Sequence, residues 1–269
     1  MKHTILVIII FWLAWQTGLS QNQYETKIPN IRKVLIEKIP GTLLIEQSQN
    51  NVFKIETDKE PSEIVEDERT RGLKPVTSSY DNTGLGLSLV QSGSNVTISG
   101  PNQFDATGNY TIFLPPEVEV SVDLTNPFSG QLVEIRGLKN SLEVKTLSGD
   151  IKFSNITGPT VFHSISGNIE GSFSDLNQEA PSSIISISGL IDLAMPSNTK
   201  AEVKLMSVSG KIYSGFEIEK EKPNKNKDPR AGELAQISGI GQKTSGKING
   251  GGTSLILQSI SGNIYFRNK

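Results

Sequence analysis

One eight-residue phrase recurs five times along this chain: apolar, any residue, Ser or Thr, apolar, Ser, Gly, any residue, Ile. The copies run Val144–Ile151, Phe162–Ile169, Ile184–Ile191, Leu205–Ile212 and Leu257–Ile264. The third place always holds a hydroxyl: Thr146, Ser164, Ser186, Ser207 and Ser259. Places five and six are always Ser-Gly. A unit this short cannot bury its own apolar face, so such repeats stack on one another. The first four copies begin 18, 22 and 21 residues apart, too close for a propeller blade and too far for a hexapeptide turn.

Strand side chains alternate faces, so a core-facing run should keep one parity. Here the parity switches. Leu142, Val144 and Thr146 share one, while Leu147 and Ile151 share the other. The same switch falls between Ser207 and Val208 and between Ser259 and Ile260. A switch of this kind requires a bend or bulge. A small hydroxyl at the bend can bond neighbouring backbone without filling volume. The Gly serves either a corner at positive φ or a place where adjacent backbones crowd, and both readings stay open. Units stacked in register place Ser over Ser and Ile over Ile, with Ile151, Ile169, Ile191 and Ile212 in one column. The expectation is an all-β protein, a parallel β-solenoid with rungs of about 20 residues, each rising ~4.8 Å. A β-sandwich with Ser-Gly turns is the alternative, and five identical parity switches weigh against it. The last copy ends five residues before the C-terminus, which suggests an end rung open to pairing with another chain.

The first twenty residues read as a secretory signal peptide. Lys2 and His3 give a basic start, Thr4 to Trp15 an apolar core, and Gly18 and Ser20 a small-residue cleavage site. The apolar core is shorter than the ~20 residues of a spanning helix, and no later stretch is apolar enough to span. Removal of residues 1–20 takes away both Trp and His3 and leaves 25 basic against 28 acidic residues, net −3. That balance argues against a nucleic-acid partner and against broad attraction to anionic membranes. There is no Cys, so the fold stands without disulfides. The location expected is the periplasm or the cell surface.

Residues 21–125 alternate like strands but irregularly, and residues 126–269 carry the regular phrase. Together they read as one continuous solenoid, with less regular rungs first. A charged loop at 219–233 contains Lys222, Lys225 and Lys227 among Pro and Asn. Degenerate phrases at Ser238-Gly239 and Ser245-Gly246 fill the rest of the gap before the fifth copy.

No constellation reads as catalytic. His163, at place two of its phrase, should face solvent, with no triad or zinc partners. Place seven reads Asp150, Asn168, Leu190, Lys211 and Asn263, a mixture that cannot build a calcium ladder. No metal or cofactor site is expected. The candidates for binding are Tyr80, Asp81 and Asn82, which open the stretch to Leu87 where two Gly make a tight turn, and the loop lysines Lys222, Lys225 and Lys227. The lysines would suit an anionic glycan or headgroup.

The Ser-Gly-x-Ile phrases, the stretch Asp81 to Leu87 and the ending Ile248-Asn249-Gly250-Gly251-Gly252 together resemble the putative-adhesin family of exported bacterial proteins. The resemblance covers the chain from about residue 30 to its end. It implies a single-stranded right-handed β-helix in the cell envelope, of unestablished function and with no agreed catalytic residues. The resulting expectation is a non-catalytic adhesion or scaffolding protein whose partner is a surface glycan or an envelope protein. Two alternatives are a polysaccharide lyase or hydrolase, and a periplasmic regulatory accessory acting through protein contacts.

Overall fold

The computed structural model describes residues 22–50, 52–58, 81–100, 108–127, 129–220 and 241–269. Residues 1–21, including the expected signal peptide, lie outside them. Among the described residues there is no helix, and twenty strands form two ten-stranded sheets. The first sheet holds β1 (Gln23–Thr26), β3 (Thr42–Gln47), β4 (Phe53–Thr57), β7 (Tyr110–Leu114), β9 (Leu132–Arg136), β11 (Asp150–Ile156), β13 (Ile169–Phe173), β15 (Ile191–Met195), β17 (Ile212–Ser214) and β20 (Ile264–Asn268). The second holds β2 (Lys33–Glu37), β5 (Ser88–Ser92), β6 (Asn95–Ser99), β8 (Glu119–Leu124), β10 (Leu142–Thr146), β12 (Thr160–Ser164), β14 (Ser182–Ser186), β16 (Ala201–Ser207), β18 (Gln242–Ile248) and β19 (Ser254–Ser259).

A strand of the second sheet, a corner and a strand of the first sheet make one rung. Each rung pairs in parallel with its neighbours, which gives a β-solenoid-like stack. Inward side chains of both sheets meet in one hydrophobic core. Phe153 on the first sheet lies 5.1 Å from Phe162 on the second, ring centre to ring centre. Opposite Phe153 in register sits Gly171, where a Cβ would collide with the Phe153 ring.

The register explains the phrase place by place. Thr146 pairs with Ser164, Ser164 with Ser186, Ser186 with Ser259 and Ser259 with Ser207. The four serines of this ladder are completely buried. Each serine Oγ accepts a bond from the N–H of the Gly three residues on, at 2.8–3.0 Å. Each also donates to the carbonyl of the corresponding Gly one rung back: Ser186 to Gly167 at 3.0 Å, Ser259 to Gly189 at 3.1 Å, Ser207 to Gly262 at 2.9 Å. The glycines answer the question left open by the pattern. A Cβ on Gly167, Gly189, Gly262 or Gly210 would overlap the carbonyl oxygen of the glycine beneath, so crowding between rungs excludes a side chain there. The bend falls at places four to six, as the parity switch requires. The place-four residues, however, lie on the outside of the corner: Ile165 is 38% and Ile260 41% exposed. Place seven adds rung-to-rung ties, since Asp150 Oδ1, Asn168 Oδ1 and Asn263 Oδ1 accept from the backbone N–H of the next rung.

The column expected of Ile151, Ile169, Ile191 and Ile212 forms, with Ile264 inserted between Ile191 and Ile212. Stack order therefore departs from chain order. The last rung, β19 with β20, lies between β14/β15 and β16/β17. The same inversion occurs at the other end. The first rung, β2 with β3, lies between β6/β7 and β8/β9. The C-terminal copy is thus an interior rung, which corrects the expectation of an end rung open to another chain. The reason is the crossover at Asn249-Gly250-Gly251. All three take positive φ, and Asn249 Nδ2 donates to Ser197 O and Thr199 O just before β16. This carries the chain over the end of β16, from β18 on its outer side to β19 on its inner side. Ser245-Gly246 is correspondingly part of the antiparallel edge strand β18 and not of a rung; Ser238-Gly239 lies outside the described residues.

Antiparallel strands close both sheet edges at the other end of the stack. β5 covers β6, and β4 with β1 covers β7. At that end Asp58 accepts bonds from the Asn109 backbone N–H (2.7 Å) and Nδ2 (2.6 Å), and Asn109 Oδ1 accepts from Thr42 N–H.

Three outcomes test this account. Ser186→Ala leaves the Gly189 N–H buried without a partner and should cost about 1–3 kcal/mol in urea unfolding, whereas Ser188→Ala, at exposed place five, should stay within about 0.5 kcal/mol. Deletion of residues 254–269 removes an interior rung, so the truncated protein should lose cooperative unfolding by circular dichroism; a merely shortened but cooperative stack would contradict the register. The bonds from Asn109 hold the Asp58 carboxyl below its ordinary value. The folded state then binds fewer protons than the unfolded state just below that ordinary value, so Asp58 contributes stability that is full above it and is lost as pH falls through the folded value. Asp58→Asn should flatten that acid limb in stability measured across pH 2 to 6, roughly the span of carboxylate titration.

Candidate binding surface

Of the residues singled out from sequence, Tyr80, Lys222, Lys225 and Lys227 lie outside the described residues. Asp81 and Asn82 are described, and their polar atoms are engaged within the turn. The Asp81 carboxylate accepts from the N–H groups of Thr83 (3.0 Å), Gly84 (2.9 Å) and Gly86 (2.9 Å). Asn82 pairs like a strand residue with Leu89, donating to its carbonyl and accepting from its N–H, both at 2.8 Å. The turn inserts Leu85 and Leu87 into the core, and the buried Tyr110 hydroxyl donates to Leu85 O. Burial pushes the Tyr110 phenol above its ordinary pKa. This stretch thus closes one end of the stack. His163 is exposed on the second sheet, in register with Lys145 and Ile185.

Chemistry on the outside is organised by the same register. At the corner, Ser148, Ser166, Ser188, Ser261 and Ser209 are exposed in successive rungs, beside the outward row Leu147, Ile165, Ile187, Ile260 and Val208. On the first sheet, the residue after the phrase forms a column, Lys152, Glu170, Asp192, Tyr265 and Tyr213, which Glu134 extends beside Lys152. Arg136 donates to Glu134 at 2.8 Å and to Glu46 at 3.0 Å, which raises its pKa further. Near the far edge Arg267 grips the Asp192 carboxylate with two bonds, Nε at 2.6 Å and Nη2 at 2.7 Å, which raises the guanidinium pKa in the same way. Tyr213 and Tyr265 stack with centroids 5.2 Å apart and planes 5° from parallel. Asn263 Nδ2 donates to the Tyr265 hydroxyl at 3.1 Å.

Tyr213, Tyr265, Arg267 and Asp192 were not singled out from sequence. One signal was available: the position after the phrase's Ile, which holds Lys152, Glu170, Asp192, Tyr213 and Tyr265. The juxtaposition of Arg267 with Asp192 was not available, because it depends on the last rung lying beside β15. Among the described residues no group of three or more His, Asp or Glu is placed to hold a metal ion, and no helix is long and apolar enough to cross a membrane.

No curated protein matches the sequence. Two solved structures are similar. One is described as a putative cell adhesion protein from Clostridium sporogenes, 10% identical, with a TM-score of 0.44 over 92% of this chain and 99% of the other. The second is described as a putative adhesin from Bacteroides fragilis, 11% identical, with a TM-score of 0.42 over 90% and 95%. Residues 129–236 match the family model described as Toastrack DUF4097, and they hold four of the five phrase copies. Over that stretch the chain is similar to the Toastrack DUF4097 family.

Proposed function

We propose that this chain is an exported cell-envelope protein that acts without catalysis, as an adhesive or scaffolding surface. In this reading residues 1–20 direct export to the periplasm or cell surface. Residues 21–125 and 126–269 form the irregular and regular parts of one right-handed solenoid, with rungs of about 20 residues. The observation that carries the proposal is the outward register. Side chains repeat in straight columns from rung to rung, and the column on the first sheet is polar and then aromatic. Such a column suits an extended polar partner, and a glycan of the envelope fits it better than an apolar protein face does. The lysines of the 219–233 loop, Lys222, Lys225 and Lys227, add cationic charge for anionic polymers of the same compartment. Asp81 and Asn82 lead into β5, at the opposite end of the stack from β17, and with Tyr80 would serve as a second contact point.

The test is fractionation of cells producing the full chain with a C-terminal epitope, followed by pull-down of envelope polysaccharide from the membrane and cell-wall fractions. The processed protein should appear outside the cytoplasm, should lose that location when residues 1–20 are deleted, and should retain envelope glycan. Retention in the cytoplasm, or steady turnover of a polyuronate panel abolished by Glu170→Gln, would overturn the reading.

A further inference from the structure

The first sheet ends at β17, and the last outward side chain of its column is Tyr213. One face of that ring lies on Tyr265. No described strand pairs beyond β17, and Tyr213 is 47% exposed. With one face stacked and the residue about half exposed, Tyr213 presents aromatic surface at the sheet edge. Its neighbours hold it there. Tyr265 is fixed at its hydroxyl by Asn263 and over its ring by the Arg267 guanidinium, 5.4 Å from the ring centre. Arg267 is fixed in turn by Asp192. Beyond Ser214 the chain continues through Gly215, which has no side chain to fill the space. A shallow depression of about 350 Å³ opens there, lined by Tyr213, Ser214, Gly215, Tyr265, Arg267 and Asn268 with Phe266 behind them.

We propose that this edge is a carbohydrate platform that takes a neutral pyranose residue of an envelope glycan. The proposal rests on the surface-binding reading above and names its ligand class and its site. Three features select the class. A flat ring with one free face suits the C–H face of a sugar, as aromatic platforms in sugar sites do. Beside the ring the depression is lined by Arg267 and Asn268, whose N–H donors and amide carbonyl acceptor are the combination that adjacent hydroxyls satisfy. The Arg267–Asp192 pair is internally neutralised, so an anionic ligand would have to displace Asp192 from a two-bond grip. An organic cation is disfavoured because the guanidinium already sits against the aromatic pair. The platform is also preorganised: the bonds that fix Tyr265 and Arg267 are made before a ligand arrives, which lowers the entropy lost on binding.

The experiment uses the full chain as processed on export. Cellotriose, chitotriose and mannotriose serve as neutral probes and trigalacturonate as the charged one, titrated by calorimetry. At least one neutral trisaccharide should bind more tightly than trigalacturonate. Tyr213→Ala should weaken that binding by about tenfold or more, and Tyr213→Phe, which keeps the ring, should hold it within about threefold. The melting temperature of Tyr213→Ala should shift little, since the ring is half exposed, so loss of binding is separable from loss of fold. Arg267→Gln should weaken binding and reduce the preference for neutral sugar. If envelope glycan is retained in pull-down but Tyr213→Ala binds every probe as the unmodified chain does, the platform is wrong and the broader reading stands. If neither probe nor envelope glycan binds, both fail.

Discussion

The regular half of this structure depends on one clasp repeated from rung to rung. A buried serine hydroxyl accepts from the glycine N–H of its own corner and donates to the glycine carbonyl of the rung behind it. Both groups lie inside the solenoid, where an unmade bond costs more than a made bond contributes. The clasp therefore does two things at once. It turns the chain through the corner without leaving orphaned polar groups, and it sets each corner directly over the last. The glycine follows from the same geometry. Once the corners are in register, the carbonyl of one glycine occupies the space that a Cβ on the next would need. Hydroxyl and glycine are then a single constraint expressed at two positions, which is why neither varies among the five copies apart from Thr146. Thr146 stands where the ladder begins: its partner on the other side is Leu124, and its hydroxyl donates to its own corner at Gly149 O, 2.7 Å away.

The ends of the stack solve a different problem. A solenoid exposes its terminal rungs, and terminal rungs fray. Here the first and last rungs in the chain are the second and second-last in the stack. The first and last rungs are thus hydrogen-bonded on both sides, while the outermost parallel rung is an internal part of the chain and cannot peel away without pulling both of its connections. Antiparallel strands then cover three of the four sheet ends, with β1–β4, β5 and β18 in those places. The fourth is β17, three residues long. Short edge strands are a common defence against unwanted pairing, and this one also carries the stacked tyrosines.

How much of this was legible beforehand follows from the range of the interactions involved. The column of Ile151, Ile169 and Ile191, the buried hydroxyls and the bend at Ser-Gly are consequences of a repeat, and a repeat is visible in one dimension. The outward placement of Ile165 and Ile260 was less visible, because a bend and a return to the core produce the same change of parity. The insertion of β19/β20 beside β14/β15 was not visible at all. Copies four and five satisfy the same contacts in either order, and what decides between them is the crossover at Asn249-Gly250-Gly251, anchored to carbonyls about fifty residues earlier in the chain. The Asp81 stretch stood out for its Asp and glycines, but those residues bond to one another, and such a turn reads the same in sequence whether its N–H groups face a ligand or its own carboxylate.

The exterior is where this chain has freedom, and it has used that freedom unevenly. Inward positions and corner glycines are held by packing, so variation among copies collects at the places that face out. At place five the five serines are exposed, and none makes a side-chain hydrogen bond among the described residues. The position after the phrase runs from charged to aromatic, Lys152 and Glu170 giving way to Asp192, Tyr265 and Tyr213. Stacking sets such side chains about 4.8 Å apart whatever their identity, so a column acquires a defined geometry without any packing of its own. The insertion of the last rung then does what a simple serial stack would not: it brings Arg267 against Asp192 and beside Tyr265. The same crossover that anchors the last rung also assembles an outward cluster in which charge, hydrogen bonding and aromatic surface meet. A fold with so uniform an interior acquires specificity from the order in which its rungs are laid down.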